Sequence, residues 1–123
     1  MNVLTLDQAE VVDVPNASRY ELRCDSRLVG LAAYHRRDGR LAVTHTEVDP
    51  SCEGRGFGSR LVQGVLDDAR EQGLEVVPLC PFVSYYVTKH PEYADLVALA
   101  YGVAERSRLG RWRSRVRRSG SSG

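Results

Sequence analysis

Residues 45–61 of this chain read HTEVDPSCEGRGFGSRL and join three sequence patterns. Apolar and polar residues alternate up to Val48, which is typical of a strand with one buried face. A loop with proline and glycine follows, and from Phe57 apolar residues recur at helical spacing as far as Ala69. The segment therefore predicts a strand, a glycine loop and a helix, in that order.

The glycines at positions 54, 56 and 58 leave the loop backbone bare, so that its amide groups can approach a ligand closely. No Ser, Thr, Asp or Asn directly precedes the first helical turn, which leaves the first helical amides free for an outside acceptor. With the helix dipole and the cations Arg55 and Arg60, these amides predict a phosphate or pyrophosphate site. A tight turn is the alternative for a pair of glycines, and three at alternate positions favour the binding site.

Two well-known phosphate loops do not fit this segment. No Gly-Lys-Ser or Gly-Lys-Thr follows the loop, and Gly-x-Gly-x-x-Gly is absent. Glu75 opens the next predicted strand, whereas the ribose-binding acid of a dinucleotide fold stands at the end of its strand. We therefore do not expect a dinucleotide-binding fold.

The composition predicts one small globular domain, since 42% of the 123 residues are hydrophobic and 27% are charged. The chain has no apolar run of about eighteen residues and no basic and apolar leader at its start, so we expect a cytoplasmic protein with no membrane partner. The cysteines at 24, 52 and 80 are odd in number and far apart. They predict free thiols, with neither a disulfide framework nor a metal site.

Charge divides the chain into two parts. Residues 1–104 carry 10 basic and 15 acidic side chains, whereas residues 105–123 carry seven arginines against one glutamate. We therefore predict a domain at 1–104 and a basic, loosely ordered tail, at most a marginal helix, at 105–123. A nucleic-acid arm is one interpretation of the arginines, and a solvated end or docking segment is the favoured one.

The remaining patterns predict a mixed sheet. Strands are predicted at residues 19–24, 28–36, 41–48 and 74–79, with a short edge segment at 11–14. Asp38-Gly39 predicts a hairpin, and Gly73 predicts the end of the helix that begins at Phe57. The helix joins two strands that should be parallel, and the apolar strand 74–79 is expected to be central.

The C-terminal part of the domain predicts two short helices. Pro81 suits the first position of a helix that runs to about His90, where Pro91 prevents continuation. Cys80 then stands at the N-cap. A last helix is predicted over residues 92–100.

The order of these elements and two motifs resemble the GNAT-type N-acetyltransferases over about residues 12–97. The motifs are the loop Gly54-Arg55-Gly56-Phe57-Gly58 and the run from Val77-Pro78-Leu79-Cys80-Pro81-Phe82-Val83 to His90-Pro91-Glu92-Tyr93. The likeness is greatest to a small truncated branch often labelled YjdJ-type or N-acetyltransferase-domain-containing. It implies an α/β (α+β) class with the GNAT acyl-CoA N-acyltransferase fold, a twisted mixed sheet with one main helix in a βαβ crossover and short C-terminal helices.

The resemblance also implies acetyl transfer from acetyl-CoA to an amine acceptor, without a metal. In that family the glycine loop and helix N-terminus hold the CoA pyrophosphate, and the pantetheine arm lies between two splayed parallel strands, here 41–48 and 74–79. The implied CoA-binding residues are Thr46, Val48, Glu53, Gly54, Arg55, Gly56, Phe57, Gly58, Ser59 and Arg60. Glu53 departs from the family pattern, which usually has Gln or Arg there, and an acid beside phosphate is unfavourable unless it points away.

Three polar residues are implied as catalytic candidates, each with an alternative. Glu47 resembles the acid that serves as base in many relatives, and a surface glutamate is the equal alternative. His45 shares a strand face with Glu47 and would relay a proton, although a hydrogen-bonded, half-buried histidine is favoured. Tyr85, beside Tyr86, stands where relatives carry a tyrosine acid, although adjacent tyrosines usually mean that one packs and one faces solvent.

Cys80 is the sharpest candidate. A thiol at a helix N-terminus has its thiolate favoured by the dipole, whereas a buried cysteine elsewhere is an inert small hydrophobe. At the end of the strand that flanks the thioester, it would act as acyl-accepting nucleophile or as proton donor to CoA.

A competing hypothesis is a CoA-binding sensor or interaction module that docks through its Arg-rich tail. This hypothesis is favoured by the lack, in this chain, of the helices that build an acceptor pocket in longer relatives. Nucleic-acid binding through the tail is a third hypothesis. The acceptor and the oligomeric state, monomer or dimer, are left open by the sequence.

Overall fold

The computed structural model describes residues 6–98 and 116–118. Its main elements are β1 (Ala9–Val14), β2 (Arg19–Cys24), β3 (Arg27–Arg37), β4 (Arg40–Val48), α1 (Phe57–Gln72), β5 (Glu75–Pro78), α2 (Pro81–Lys89) and β6 (Arg117–Arg118). Short 3-10 turns lie at Leu6–Gln8, Pro15–Ala17, Pro50–Cys52 and Pro91–Leu96. Within the described residues the six strands form one sheet in the order β5-β4-β3-β2-β1-β6.

The sheet is mixed, as the sequence predicts. Strands β1 to β4 are antiparallel neighbours, and the chain reverses between β3 and β4 at Asp38 and Gly39 with φ of 53° and 78°. Positive φ at both turn residues is the geometry of the tight hairpin that an Asp-Gly pair favours. Strand β5 runs parallel to β4, so the predicted βαβ crossover is confirmed.

Helix α1 crosses from β4 to β5 and packs on the sheet. Its buried stripe includes Leu61, Val65 and Leu66, and each fully buried aliphatic side chain contributes about 1.5–3 kcal/mol. Gly64 allows the closest approach to the sheet, because a Cβ there would lie 2.7–3.1 Å from three side-chain carbons of Val11. The helix ends at Gly73, whose φ of 72° confirms the predicted left-handed cap.

A bulge in β4 decides which side chains face α1. Ala33 pairs with His45 and Tyr34 pairs with Val43, so Thr44 is an extra residue in β4. Thr46 lies opposite buried Ala32 and therefore shares the face of the core. Because side chains alternate along a strand, His45 and the residue at 47 project from the opposite face.

Of two predictions for the C-terminal part of the domain, one is wrong and the other is only partly right. Strand β5 ends the sheet order and is not central, and on its other side only a single parallel bridge joins Val76 to Val97 among the described residues. Its apolar character reflects the burial of Val76 and not two full neighbouring strands. The predicted last helix is a 3-10 turn at Pro91–Leu96, after which Val97 is extended and Ala98 donates a hydrogen bond to the Val76 carbonyl. Residues 99 and 100 of that prediction lie outside the described residues.

The tail also departs from expectation where it is described. Val116 is buried, and Arg117–Arg118 pair in parallel with β1. The expectation of a loosely ordered segment therefore fails for these three residues. The predicted boundary near residue 104 and the rest of 105–123 lie outside the described residues.

Candidate functional site

The glycine loop is held at its start by a short polar turn. The carboxylate of Asp49 accepts hydrogen bonds from the Ser51 amide at 2.9 Å and from the Ser51 hydroxyl at 2.7 Å, and these bonds lower the pKa of Asp49. Gly54 and Gly56 then adopt φ of 78° and 89°. Only glycine adopts such angles without strain, which explains why the loop alternates glycine with other residues.

Helix α1 begins without a side-chain cap, as predicted. Its N-cap is Gly56, which has no side chain to accept a hydrogen bond from the first turn. The amides of that turn and the positive end of the helix dipole are therefore directed at whatever lies before the helix. This arrangement suits an anion.

A cleft of about 440 Å³ lies at this helix end. It is lined by Thr46, Glu47, Val48, Glu53, Gly54, Gly56, Gly58, Ser59, Leu61 and Phe82. Phe82 closes one wall, because its ring atoms lie 3.2 and 3.3 Å from the position that a Cβ of Gly58 would take. Gly58 is thus needed for the approach of an aromatic ring as well as for a bare backbone.

Most of the residues implied as CoA-binding line this cleft, but three do not. Phe57 is buried in the core, and the Arg55 guanidinium lies 5.6 Å from the centroid of its ring. Arg60 is half-buried and, like Arg55, is absent from the lining. Glu53 does line the cleft and is exposed to solvent. Leu61 and Phe82 were missed from the sequence, although Phe82 belongs to the Cys-Pro-Phe motif.

Strands β4 and β5 separate beside the cleft. Their pairing runs from Arg40–Glu75 to Val43–Pro78, and β4 then continues to Val48. Cys80 closes the end of the paired part by donating its amide to the Val43 carbonyl at 2.9 Å. The backbone of Thr46 to Val48 therefore lies beyond the part of β4 that pairs with β5, and Thr46 both lines the cleft and contacts Cys80.

Cys80 is the N-cap of α2, as predicted, and is 5% exposed. Its Sγ lies 3.4 Å from the Oγ1 of Thr46. Burial raises the pKa of the Cys80 thiol, but the Thr46 hydroxyl and the backbone amides of residues 83, 82 and 46 outweigh burial, so the pKa is lowered overall. The thiolate is thus stabilised in a largely buried position.

His45 and Glu47 form a separate pair on the other face of β4. The Nε2 of His45 lies 2.7 Å from the Oε2 of Glu47, and their side chains are 57% and 62% exposed. The shared strand face is confirmed. The expected hydrogen-bonded, half-buried histidine does have its hydrogen bond, but its burial is wrong, since the bulge at Thr44 turns His45 away from the core. The alternation of β4 therefore directs this pair away from Thr46, the partner of Cys80.

The two tyrosines of α2 divide as the packing interpretation predicts. Tyr85 is 60% exposed, and the Lys89 Nζ lies 5.4 Å from its ring centroid. Tyr86 is buried and stacks on His90 with ring centroids 3.9 Å apart. Burial raises the pKa of Tyr86. A catalytic role for Tyr85 stays a prediction.

Cys24, Cys52 and Cys80 are all buried, and none of them forms a disulfide, as predicted. None of the helices in the described part of the chain is long and apolar enough to cross a membrane.

Comparison with known protein families finds one that matches this chain. The model of a family described as GCN5-related N-acetyl-transferase matches residues 19–96. No curated protein resembles the chain closely enough to count as a match.

A solved structure supports the fold, and two further ones align more weakly. The NMR structure of a GCN5-like protein from Staphylococcus aureus aligns with a TM-score of 0.57 at 19% identity, covering 86% of this chain and 100% of that one. The ribosomal-protein-S18-alanine N-acetyltransferase of Escherichia coli aligns with a TM-score of 0.48 at 15% identity, covering 58% of this chain and 48% of that one. N-acetylglutamate synthase from Neisseria gonorrhoeae, complexed with coenzyme A and N-acetyl-glutamate, aligns with a TM-score of 0.48 at 21% identity, covering 61% of this chain and 19% of that one.

Proposed function

The chain belongs to the GCN5-related N-acetyltransferase family, and on that premise we propose that it transfers an acetyl group from acetyl-CoA to an amine. The proposed co-substrate site is the cleft at the start of α1. One observation carries this proposal: an uncapped helix N-terminus, preceded by glycines 54 and 56, opens into a cleft of about 440 Å³. The loop and helix amides would bind the CoA pyrophosphate.

The path of the pantetheine arm follows from the separation of β4 and β5. The arm would lie against the backbone of Thr46 to Val48, which continues past the end of β5. Its thioester would then reach the region of Cys80. Glu53 is exposed, so its carboxylate can turn toward water and away from the phosphates.

We propose Cys80 as the nucleophile rather than as a proton donor, because the contacts of its sulfur favour the thiolate. The thiolate would attack the carbonyl carbon of acetyl-CoA, and the bond from that carbon to the CoA sulfur would break, with CoA leaving as a thiolate. A neutral amine would next attack the Cys80 thioester, forming the amide and releasing the Cys80 thiolate. The proton of the attacking nitrogen would pass to a base.

Glu47 is the proposed base for that proton. Glu47 lines the cleft but projects from the face of β4 opposite Thr46, so the proton would pass to it through water. His45 at 2.7 Å would share the proton or fix the carboxylate. Glu47→Gln should therefore lower turnover with an amine while leaving acetylation of Cys80 itself unchanged. Loss of both amine turnover and Cys80 acetylation would mean that Glu47 acts before the amine step. If neither activity is lost, Glu47 is excluded as the base. The same assay applied to Tyr85→Phe tests whether the exposed tyrosine takes part.

Binding is tested by titration calorimetry with CoA and with NADH. CoA should bind and NADH should not, and equal binding of both would contradict the proposal. Gly56→Glu should abolish CoA binding, because the new carboxylate would occupy the place of phosphate. Gly39→Glu is the matched control, since Gly39 also has a positive φ of 78° but has no other atom within 4 Å of its Cβ position.

Chemistry is tested on Cys80. Cys80→Ala should keep the affinity for CoA and reduce turnover by about a hundredfold to ten-thousandfold. Mass spectrometry after mixing with acetyl-CoA alone should find an acetyl group on Cys80, and Cys24→Ala is the control for a buried thiol outside the cleft. Full activity of Cys80→Ala would make this cysteine structural.

The acceptor is to be found by a screen of amines with radiolabelled acetyl-CoA. A wild-type chain that binds acetyl-CoA but neither acetylates itself nor modifies any amine would instead indicate a CoA-binding sensor. Placement in the YjdJ-type branch remains part of the proposal.

A further inference from the structure

Two carboxylates are buried between β1 and α1, away from the cleft. Asp13 is 2% exposed and Asp68 is 1% exposed. The hydroxyl of Tyr34 donates to Asp13 at 2.7 Å, and the hydroxyl of Tyr20 donates to Asp68 at 2.7 Å. The side-chain amide of Gln72 also donates to Asp68, at 2.6 Å. These neutral donors satisfy oxygen atoms but supply no positive charge.

A buried pair of carboxylates needs a cation. Burial raises the pKa of Asp13, and the nearby charge of Asp68 raises it further. Among the described residues, Arg118 is the cation that contacts both groups: one terminal nitrogen donates to Asp68, and its Nε lies 3.6 Å from an oxygen of Asp13. Arg36 also acts on Asp13, but its guanidinium donates to the Gln72 side chain at 2.9 Å.

Arg118 reaches this position as part of an added strand. Val12 pairs with Arg117 and Asp13 pairs with Arg118, in parallel, at the β1 edge of the sheet. Val116 is buried beside them. Arg117 differs from Arg118, because it forms an exposed ion pair with Glu10.

The geometry favours arginine over lysine. A guanidinium is planar and carries five donors, so it can contact two separate carboxylates at once. An ammonium is a compact point charge on a flexible stem and would be expected to serve the two acids less well. A strand of two residues offers few backbone hydrogen bonds, so recognition should depend on this one side chain.

We propose that the β1 edge, together with the carboxylates of Asp13 and Asp68, is a docking site for an extended segment that carries an arginine, and that the chain's own C-terminal segment fills it. Docking in this way is intramolecular, with an effective concentration on the order of millimolar. A free segment of the same sequence therefore binds only when the chain's own segment is displaced. This inference does not rest on acetyl transfer.

The test uses a fluorescent peptide of residues 113–121 and anisotropy titrations with full-length chains. The Arg118→Ala chain should bind the peptide at least about tenfold more tightly than the wild-type chain, whose site is filled. A peptide carrying Arg118→Lys has the same charge and should bind that chain about tenfold more weakly. A peptide carrying Arg117→Ala should bind within about threefold of the original, since the side chain of Arg117 forms an exposed ion pair with Glu10.

Two results would overturn the proposal. Equal binding to the wild-type and Arg118→Ala chains would show that the basic peptide associates with an acidic surface through its charge, without a specific site. Equal binding of the arginine and lysine peptides would remove the guanidinium from the recognition. Because Arg118→Ala leaves two buried acids without this cation and could unfold the chain, the Arg118→Lys chain is a second host, in which the same order of affinities is expected.

Discussion

Replacement of Thr46 by valine removes the hydroxyl that contacts the Cys80 thiol and keeps the shape of the side chain. Thr46 provides the largest of the contributions that lower the pKa of Cys80, and burial opposes them. With the hydroxyl gone, burial is opposed only by the backbone amides. The pKa of Cys80 should therefore rise, and the thiolate should appear at higher pH than in the wild type.

The size of the shift follows from the contact. A hydrogen bond to a charged group contributes about 1.5–3 kcal/mol, and about 1.4 kcal/mol corresponds to a tenfold change in an equilibrium constant. The Oγ1 to Sγ distance of 3.4 Å is long for an oxygen acceptor but ordinary for sulfur, so we take the lower end of this range. Thr46→Val should therefore lower the rate of alkylation, at a pH below the pKa of Cys80, by about tenfold.

The assay is the rate of alkylation of Cys80 by iodoacetamide between pH 5 and 10, measured on the Cys80 peptide by mass spectrometry. The midpoint of the rate profile reports the pKa, whereas a change in access to the thiol alters only the plateau. Thr44→Val is the matched control, because the Thr44 hydroxyl donates to the Ala33 carbonyl at 3.4 Å and lies on the same strand. A midpoint for Thr46→Val that is unchanged or lower would refute the reasoning.

Three further substitutions test the packing around the site. Gly64→Ala should lower the free energy of unfolding, measured in urea, by about 1–2 kcal/mol, because the new Cβ would lie 2.7 Å from a Val11 methyl. Adding Val11→Ala should restore part of the loss. A gain in stability from Gly64→Ala would mean that helix propensity outweighs the contact. Tyr93→Phe should cost about 1–2 kcal/mol in the same assay by removing the bond to Asp67 at 2.6 Å, and an unchanged midpoint would contradict that role. Phe82→Ala should weaken CoA binding about fivefold to tenfold by calorimetry, since its ring forms a wall of the cleft; unchanged affinity would place CoA elsewhere.

The elements with strong local signals could be predicted from the sequence. The bounds of α1 follow from its apolar spacing and from Gly73, whose left-handed conformation ends the helix. The hairpin at Asp38 and Gly39 follows from the turn geometry that this pair favours. These signals lie within a few residues of the features that they determine.

The predictions that failed concern features that depend on contacts between residues far apart in the sequence. The apolar run in β5 reports that Val76 is buried, but it cannot report how many strands lie beside it. The contact of Asp68 with Arg118 spans 50 residues, and no local pattern announces it. The buried carboxylates were therefore not foreseen.

Within the site, backbone positions were easier to predict than side-chain directions. The glycines at 54, 56 and 58 line the cleft, and this could be predicted because a glycine contributes only its backbone. Phe57 lies between two of these glycines in the sequence, but its side chain belongs to the apolar stripe of α1 and is buried in the core. The lowered pKa of Cys80 was predicted from its N-cap position, but the contribution of Thr46 depends on a bulge that no glycine or proline marks.

The extra residue at position 44 has a consequence for how related sequences should be aligned. Loss of Thr44 would restore unbroken alternation and leave each later side chain of β4 on its present face. A gain or loss of one residue between His45 and Val48 would instead exchange the faces of the residues that follow it, bringing an exposed carboxylate toward the thiol or turning the threonine hydroxyl away. A one-residue gap is thus tolerable at position 44, and a gap elsewhere in the second half of this strand signals a protein with different chemistry.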